Sequence, residues 1–382
     1  MFVINLENKG YATTFGPGSK APYLSRTLRA QGVLLEQYHG TAHNSLPNYL
    51  AQISGQGPDP EQQGDCQVYS SFLRAGTVSH QQAAGRGCVY PASVPTLPGQ
   101  LTAKGLNWKG YMEDMGADPT REAARCGHPA INTQDGTQRA IVKDQYAARH
   151  NPFVYFGSIT GSPSCAQRDV NLSKLTADLK TVTTTPNLAY ITPNLCHDGH
   201  DTPCVNGEPG GLTSADAFLR TWVPRILASP AYRQDGLLVV TFDESDSPQA
   251  DASASGGETA GPNSPLPGIV GPGGGRVGAV VLSRHTAPGT SSSVGYNHYS
   301  LLASLEDAFA GWRTWASPRR AACPGSAATC TPPGSTAHTD PESVAGRGGA
   351  ALPVQAITSI TTAVRTSASA RPAYRPPPTP TP

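Results

Sequence analysis

The 382-residue chain carries 28 Lys and Arg against 27 Asp and Glu, a formal charge of +1, with no basic run or basic-aromatic stripe of the kind that nucleic-acid binding uses. Charged residues make up only 14%, and 41 Gly with 36 Pro predict many loops, while 37% hydrophobic residues suffice for a sizeable core and exclude wholesale disorder. No window reaches the roughly 18 apolar residues of a membrane span, and the opening Met1-Phe2-Val3-Ile4-Asn5-Leu6 lacks the features of a signal peptide, so an exported protein would have shed its signal.

Apolar, β-branched runs flanked by helical patterns predict an α/β sheet. A strand is expected at 2–6 (FVINL), a helix at 22–31, a strand at 33–37 and a short helix at 46–54, with Pro47 early and Gly55 after it. Residues 57–100 and 115–138 hold Gly, Pro, Gln and three of the eight cysteines with little periodicity and read as disulfide-tied surface insertions. Between and beyond them come a strand at 106–112, a helix at 139–149 and strands at 152–156 (PFVYF) and 187–192 (NLAYIT). A helix at 214–228 has Ser214 as its N-cap, and strands follow at 237–242 (LLVVTF) and 277–282 (VGAVVL), separated by a Ser/Gly/Pro/Ala loop over 247–275. In the last helix, 299–309, Leu301, Leu302, Leu305, Ala308 and Phe309 recur at helical spacing. The expected division is one catalytic domain over 1–320 and an extension over 321–382 that ends in a disordered Pro/Thr tail, RPAYRPPPTPTP.

The eight cysteines lie at 66, 88, 126, 165, 196, 204, 323 and 330, with no CxxC pair, which favours four disulfides and an oxidising compartment, extracellular or in the cell envelope. Pairing in chain order gives Cys66 with Cys88, Cys126 with Cys165, Cys196 with Cys204 and Cys323 with Cys330. A competing reading takes Cys196, His197, His200 and Cys204 as a zinc site.

Polar clusters sit just after predicted strands: Glu7-Asn8 after FVINL, Asn194 to Asp201 after NLAYIT, and Asp243-Glu244 after LLVVTF. Ligands of open α/β sheets bind beyond the strand carboxyl ends, so these clusters converge on one candidate site, rich in carboxylates suited to a hard cation. Taken singly, each is a solvated strand end. Ser45 opens the helix at 46–54, where backbone N–H groups and the dipole favour a phosphate; it is the candidate nucleophile, against the plainer reading of an N-cap serine. Asn48, one turn on, is a candidate donor to a phosphoryl oxygen. His197, His200 and His298 follow strands and are candidates for metal binding, phosphate binding or proton transfer, whereas His39 and His43 are weaker candidates.

With those residues assembled, the blocks ENKGYATTFG (7–16), APYL (21–24), HNSLPNYLAQISG (43–55), YMEDM (111–115), HNPFVYF (150–156), ITPNLCHDGHD (191–201), VVTFDESD (239–246) and YNHYSLLASLEDAF (296–309) resemble the bacterial phosphoesterase family of secreted acid phosphatases, phosphatidylinositol-phosphate phosphatases and, more distantly, phospholipases C. The resemblance implies an alkaline-phosphatase-like fold, a central mostly parallel sheet between helices with metal at the strand ends. It makes Ser45 the nucleophile, Glu7 and Asn8 metal or phosphate ligands and Asp243 with Glu244 the metal-binding pair, with Asp198, His200 and His298 lining the second half of the site as ligands or phosphate-binding groups and Lys9 offsetting phosphate charge. Together with the reading of the residues themselves, the expected assignment is Asp198 in the metal set, His200 and His298 as catalytic imidazoles, and Asn48, His197 and Lys9 on the substrate. Distant members of the superfamily carry an Asp-His pair where this chain has Asp243-Glu244, so one divalent ion is as expected as two, with Ca²⁺, Mg²⁺, Mn²⁺ or Zn²⁺ as its identity. The implied activity is phosphomonoester hydrolysis through a phosphoserine, on a small phosphorylated substrate or a phospholipid headgroup. The alternatives are a phospholipase C-type phosphodiesterase and a catalytically silent cell-surface binding module.

Overall fold

The computed structural model describes residues 1–75, 82–246, 263 and 273–310. The expected Cys323–Cys330 bridge, the domain boundary at 320, the Pro/Thr tail and most of the loop at 247–275 lie outside the described residues.

The strands run in chain order β1 (Phe2–Leu6), β2 (Val33–His39), β3 (Leu73–Arg74), β4 (Gly85–Arg86), β5 (Trp108–Met112), β6 (Asp169–Asn171), β7 (Leu188–Thr192), β8 (Leu237–Phe242), β9 (Ala279–Ser283) and β10 (Thr290–Asn297). Eight of them form one sheet in the order β10-β2-β9-β8-β1-β7-β5-β6, and β3 pairs with β4 in a separate ribbon. β8, β1, β7, β5 and β6 are mutually parallel, β10 is parallel to β2, and β9 alone runs antiparallel to its neighbours β2 and β8. The expected mixed α/β architecture with a mostly parallel sheet is the one observed.

The central strands read as continuous apolar runs because both faces are covered: every residue of β1, β7 and β8 is buried. Three helices matter for the site: α1 (Ser45–Ser54), α2 (Gly211–Ala228) and α3 (His298–Ala310). α1 is buried on all sides, and Gly55, at φ 70°, closes it by donating its N–H to Ala51 O. Polar staples hold α1 to the sheet: Gln52 Nε2 donates to Asn5 Oδ1 at 2.9 Å and Tyr190 Oη donates to Gln52 Oε1 at 2.8 Å. A buried amide is tolerable only when its polar atoms are paired in this way.

Two expected elements differ. The run 152–156 is a 3₁₀ turn over Pro152–Tyr155, whose first turn is capped by Asn151 Oδ1 accepting from Phe153 N. Segment 139–149 is mostly turns, with a 3₁₀ helix at Ala148–His150, because buried Asp144 and Thr137 take local backbone bonds from Tyr146 N and Ala148 N in place of helical ones. The edge strand β10 and the three-residue β6 are additions. The disulfides Cys66–Cys88, Cys126–Cys165 and Cys196–Cys204 form as chain order predicted. Among the described residues no helix is long and apolar enough to cross a membrane.

Candidate active site

The site follows from the strand order. β1 lies between β7 and β8 and is parallel to both, so the residues after three adjacent carboxyl ends meet. Backbone bonds tie those ends together: Glu7 N donates to Asp198 O at 2.8 Å and Asp243 N donates to Leu6 O at 2.9 Å. Gly199, at φ +109°, permits this close approach, since a Cβ there would stand 3.1 Å from Glu7 O. Asn8 N donates to Asp243 Oδ1 at 2.9 Å.

Ser45 heads α1 with its side chain almost wholly buried, and its hydroxyl donates to Glu7 Oε2 at 2.8 Å. His150 stacks on Tyr49 at 5.3 Å between ring centroids. Its Nε2 lies 3.5 Å from Glu7 Oε2 and its Nδ1 3.2 Å from Asp198 Oδ2. The His200 ring stands 6.1 Å from that of His150, and its Nδ1 lies 2.8 Å from Asp201 Oδ1. On the other flank, His43 Nδ1 contacts Glu244 Oε2. Beside this pair opens a pocket of about 330 Å³ lined by Asn8, Lys9, His43, Asn44, Glu244, Ser245 and Asp246. A second cavity of about 310 Å³, lined by Leu227, Tyr232 and Ser283 among others, faces the start of β8, at the opposite end of the sheet.

The electrostatics are those of carboxylates in excess. Burial, then the charges of Asp243 and Asp198, drives the Glu7 carboxyl well above its usual range. Burial raises Asp243, lifts Asp198 to about 7 and pushes Glu244 well up, the last helped by Asp243 and Asp65. His150, also buried, is held well below its ordinary value and is neutral. Among the described residues, Glu7 Oε1, Asp198 Oδ2, Asp243 Oδ2 and both His150 nitrogens are buried without a hydrogen-bond partner. Such a cluster of orphaned acceptors costs several kcal/mol unless a cation binds it, and oxygen donors with one imidazole fit a divalent ion. The zinc alternative at Cys196, His197, His200 and Cys204 fails, because the Cys196–Cys204 bond removes both thiolates.

The structure thus brings together Glu7, Asn8, Ser45, Asp198, His200, Asp243 and Glu244 and sets Lys9 at the pocket rim, where its Nζ donates to Asn8 O at 2.7 Å. Three expected roles need correction. Asn48 is spent on the backbone: Oδ1 accepts from Thr41 N, Thr41 Oγ1 and Ala42 N, and Nδ2 donates to Ala42 O and Asn44 O, so no donor is left for a phosphoryl oxygen. His298 is fully buried, with Nε2 donating to Asp243 O at 2.6 Å and Nδ1 accepting from Tyr38 Oη and Gln52 Nε2. That pattern fixes the neutral Nε2–H tautomer, and burial lowers its pKa to about 4, so its one ring proton is committed to Asp243 O and it acts as a positioning group, not a proton carrier. His197 bridges Glu113 at 3.0 Å and Glu208 at 3.1 Å. Burial opposes its protonation, but the two carboxylates outweigh it and raise the pKa to about 9, so both nitrogens are committed away from substrate.

Sequence reasoning missed His150, Tyr49 and Asp65 and ranked His43 too low. His43 stands two residues before Ser45 and His150 opens HNPFVYF, and adjacency to the nucleophile was the one usable signal.

Among known proteins, the chain is 27% identical over 295 residues to a phosphate-repressible acid phosphatase of Penicillium chrysogenum, covering 77% of this chain and 55% of the relative. It is 26% identical over 305 residues to a probable acid phosphatase of Kluyveromyces lactis, covering 80% and 56%. A phosphatidylinositol-3-phosphatase of Mycobacterium tuberculosis is 24% identical over 303 residues, covering 79% and 74%. The chain spans about half the length of the fungal relatives it matches. Fungal matches widen the expected bacterial setting. Among solved structures, a protein in the alkaline phosphatase superfamily from Vibrio parahaemolyticus aligns with a TM-score of 0.45 at 12% identity, covering 80% of this chain and 65% of the other. A lipoteichoic acid synthase from Listeria monocytogenes aligns with a TM-score of 0.44 at 10% identity, covering 80% and 70%. The description of the matching family model is Phosphoesterase family, and the match runs over residues 3–310, most of the chain: the protein belongs to that family.

Proposed function

We propose that the protein is a metal-dependent phosphomonoesterase that works through a phosphoserine on Ser45. The observation that carries this reading is the buried Ser45 hydroxyl at the head of α1, 2.8 Å from Glu7 Oε2 and beside carboxylates whose buried oxygens, among the described residues, lack a hydrogen-bond partner. Family membership and the acid phosphatase names of the relatives agree with it.

A divalent cation held by Glu7, Asn8, Asp243 and Glu244, with Asp198 and His150 beside them, would supply Lewis-acid chemistry: a lower Ser45 pKa and compensation of phosphate charge. The remaining steps belong to the chain. Ser45 Oγ attacks phosphorus in line, and Glu7 Oε2, already its acceptor, takes the hydroxyl proton. The bond from phosphorus to the alcohol oxygen breaks as the Oγ–P bond forms. His200, whose Nδ1 faces Asp201, keeps Nε2 to protonate the leaving alcohol and to accept the proton of the water that hydrolyses the phosphoserine, and Glu7 returns its proton to Ser45 Oγ as the Oγ–P bond breaks and phosphate leaves. His298 and Asn48 hold the frame, the first through Asp243 O and the second through the backbone at 41–44. The polar pocket lined by Lys9, His43 and Asp246 supports a polar phosphomonoester over a diester with a lipid substituent. The disulfides support an oxidising, extracellular or envelope location.

The test is the rate of p-nitrophenyl phosphate hydrolysis beside that of the bis-p-nitrophenyl diester, with Mg²⁺, Mn²⁺, Ca²⁺ or Zn²⁺ supplied. Monoester preference with a loss of roughly a thousandfold or more in Ser45→Ala is expected. Diester preference would move the protein to the phospholipase C type, and no turnover under any ion would favour a binding module.

A further inference from the structure

The first turn of α1 is not capped by its own N-cap residue. Asn44 occupies that place with no side-chain cap bond, and its amide is turned aside to donate to Gln63 O at 2.8 Å. The N–H of Leu46, the residue after the nucleophile, is instead taken by a side chain from another segment: it donates to Asp65 Oδ1 at 2.9 Å. We infer that Asp65 is a positioning residue for the nucleophile, capping α1 from outside so that Ser45 Oγ stays in register with Glu7 Oε2. The inference rests on the reading of Ser45 as nucleophile.

Three features support it. First, Asp65 is itself tightly held. Asp65 and Cys66 sit at φ 54° and 49°, a left-handed conformation that residues with side chains avoid, and their N–H groups donate to Gln62 O and Glu61 O at 2.9 Å each. Cys66 is bonded to Cys88, and Gln138 Nε2 donates to Asp65 O at 2.8 Å, so the segment cannot drift. Second, the charge is balanced on the side away from the helix by the Arg149 guanidinium, whose Nε lies 3.9 Å from Oδ2. Third, Gln63 O and Asp65 Oδ1 grip the chain on both sides of Ser45, at Asn44 and at Leu46. An insertion that looks like surface decoration in the sequence thus reaches in and sets the nucleophile. Small displacements of a reacting atom cost large factors in rate, so this grip acts on turnover more than on substrate affinity.

The test compares Asp65→Ala with Asp65→Asn, which keeps an oxygen acceptor for Leu46 N–H, in the full metal-loaded chain. Rates on p-nitrophenyl phosphate are normalised to the folded fraction, read from urea unfolding of the same preparation followed by circular dichroism. Asp65→Ala is expected to lower kcat by about 10- to 100-fold with KM changed by less than about threefold, and Asp65→Asn to recover most of that loss. The paired Cys66→Ala/Cys88→Ala variant, which frees Asp65 from its tether, is expected to lose kcat in the same sense and carries the test if Asp65→Ala does not fold. An unchanged kcat in Asp65→Ala, a change confined to KM, or failure of Asp65→Asn to recover the rate would each overturn the inference. Full turnover by Ser45→Ala would overturn the nucleophile reading itself, which separates the two failures.

Discussion

Asn48 provides the sharpest test of how the nucleophile segment is built. Its side chain is fully buried and makes five hydrogen bonds of 2.7 to 3.1 Å to Thr41 N, Thr41 Oγ1, Ala42 N, Ala42 O and Asn44 O. Asn48→Ala strands four backbone groups in a place where water has little access. Each unsatisfied buried group costs about 1–3 kcal/mol, and partial relaxation of the turn keeps the sum near the low end, at roughly 4 kcal/mol. Asn48→Asp keeps the accepting oxygen but sets a carboxylate against two carbonyls, so it is expected to lose a similar amount. Urea unfolding followed by circular dichroism measures the change directly. Both variants should shift the midpoint strongly, and activity should fall because Ser45 loses the turn that precedes it. If Asn48→Ala unfolds within about 1 kcal/mol of wild type and only KM rises, Asn48 faces substrate and the structural role assigned to it is wrong.

Other outcomes follow from the same physics. Burial lifts the Asp169 carboxyl from 3.8 to about 7, with Asn151 Nδ2 on its Oδ2 and its Oδ1 unpartnered. Because the native state binds this proton more tightly than the unfolded chain, the contribution is full below about pH 4 and is lost as pH rises to about 7, by up to roughly 4 kcal/mol. Asp169→Asn should therefore flatten the stability profile over that window and raise the urea midpoint at pH 8, and an unchanged profile would refute this. Cys126–Cys165 closes a separation of 39 residues and Cys196–Cys204 one of 8, so replacing the first pair by Ala should cost about 4 kcal/mol and the second about 2.5 kcal/mol on chain entropy; the reverse order of thermal midpoints would show that native packing decides. Chelation should abolish turnover and also lower the melting temperature, since it leaves Glu7, Asp198 and Asp243 to repel one another, and re-addition of a divalent ion should restore both.

The strands that position the site were legible because they are buried on both faces and so read as unbroken apolar runs, each followed by its polar cluster. Glu7, Asp198 and Asp243 could be placed together before their strand order was known, because parallel strands in an open sheet present their carboxyl ends to one crevice. What escaped was local. β10 exposes Thr290, Ser291 and Ser293 along an edge and carries a Thr/Ser run over 290–293, so it shows no apolar alternation. The stretch 139–156 suggested a helix and then a strand by propensity, but Asn151, Pro152 and buried Asp144 commit it to turns. His150 stands inside that misread boundary, and its place between Glu7 and Asp198 could not be anticipated. Asn48 and His298 were found as residues but misjudged in role, since whether a buried amide or imidazole has a free atom depends on tertiary partners that spacing does not reveal. Asp65 carried no signal at all: it reaches Leu46 from a disulfide-bonded insertion.

The central claim is the covalent one, and rapid acid quench tests it most directly. Enzyme mixed with p-nitrophenyl phosphate and quenched within the first turnover, then digested and weighed by mass spectrometry, should carry one phosphoryl group on the peptide containing Ser45. Ser45→Ala should carry none and show no burst. An unmodified Ser45 peptide during active turnover, or a phosphoryl group on another residue, would contradict the account.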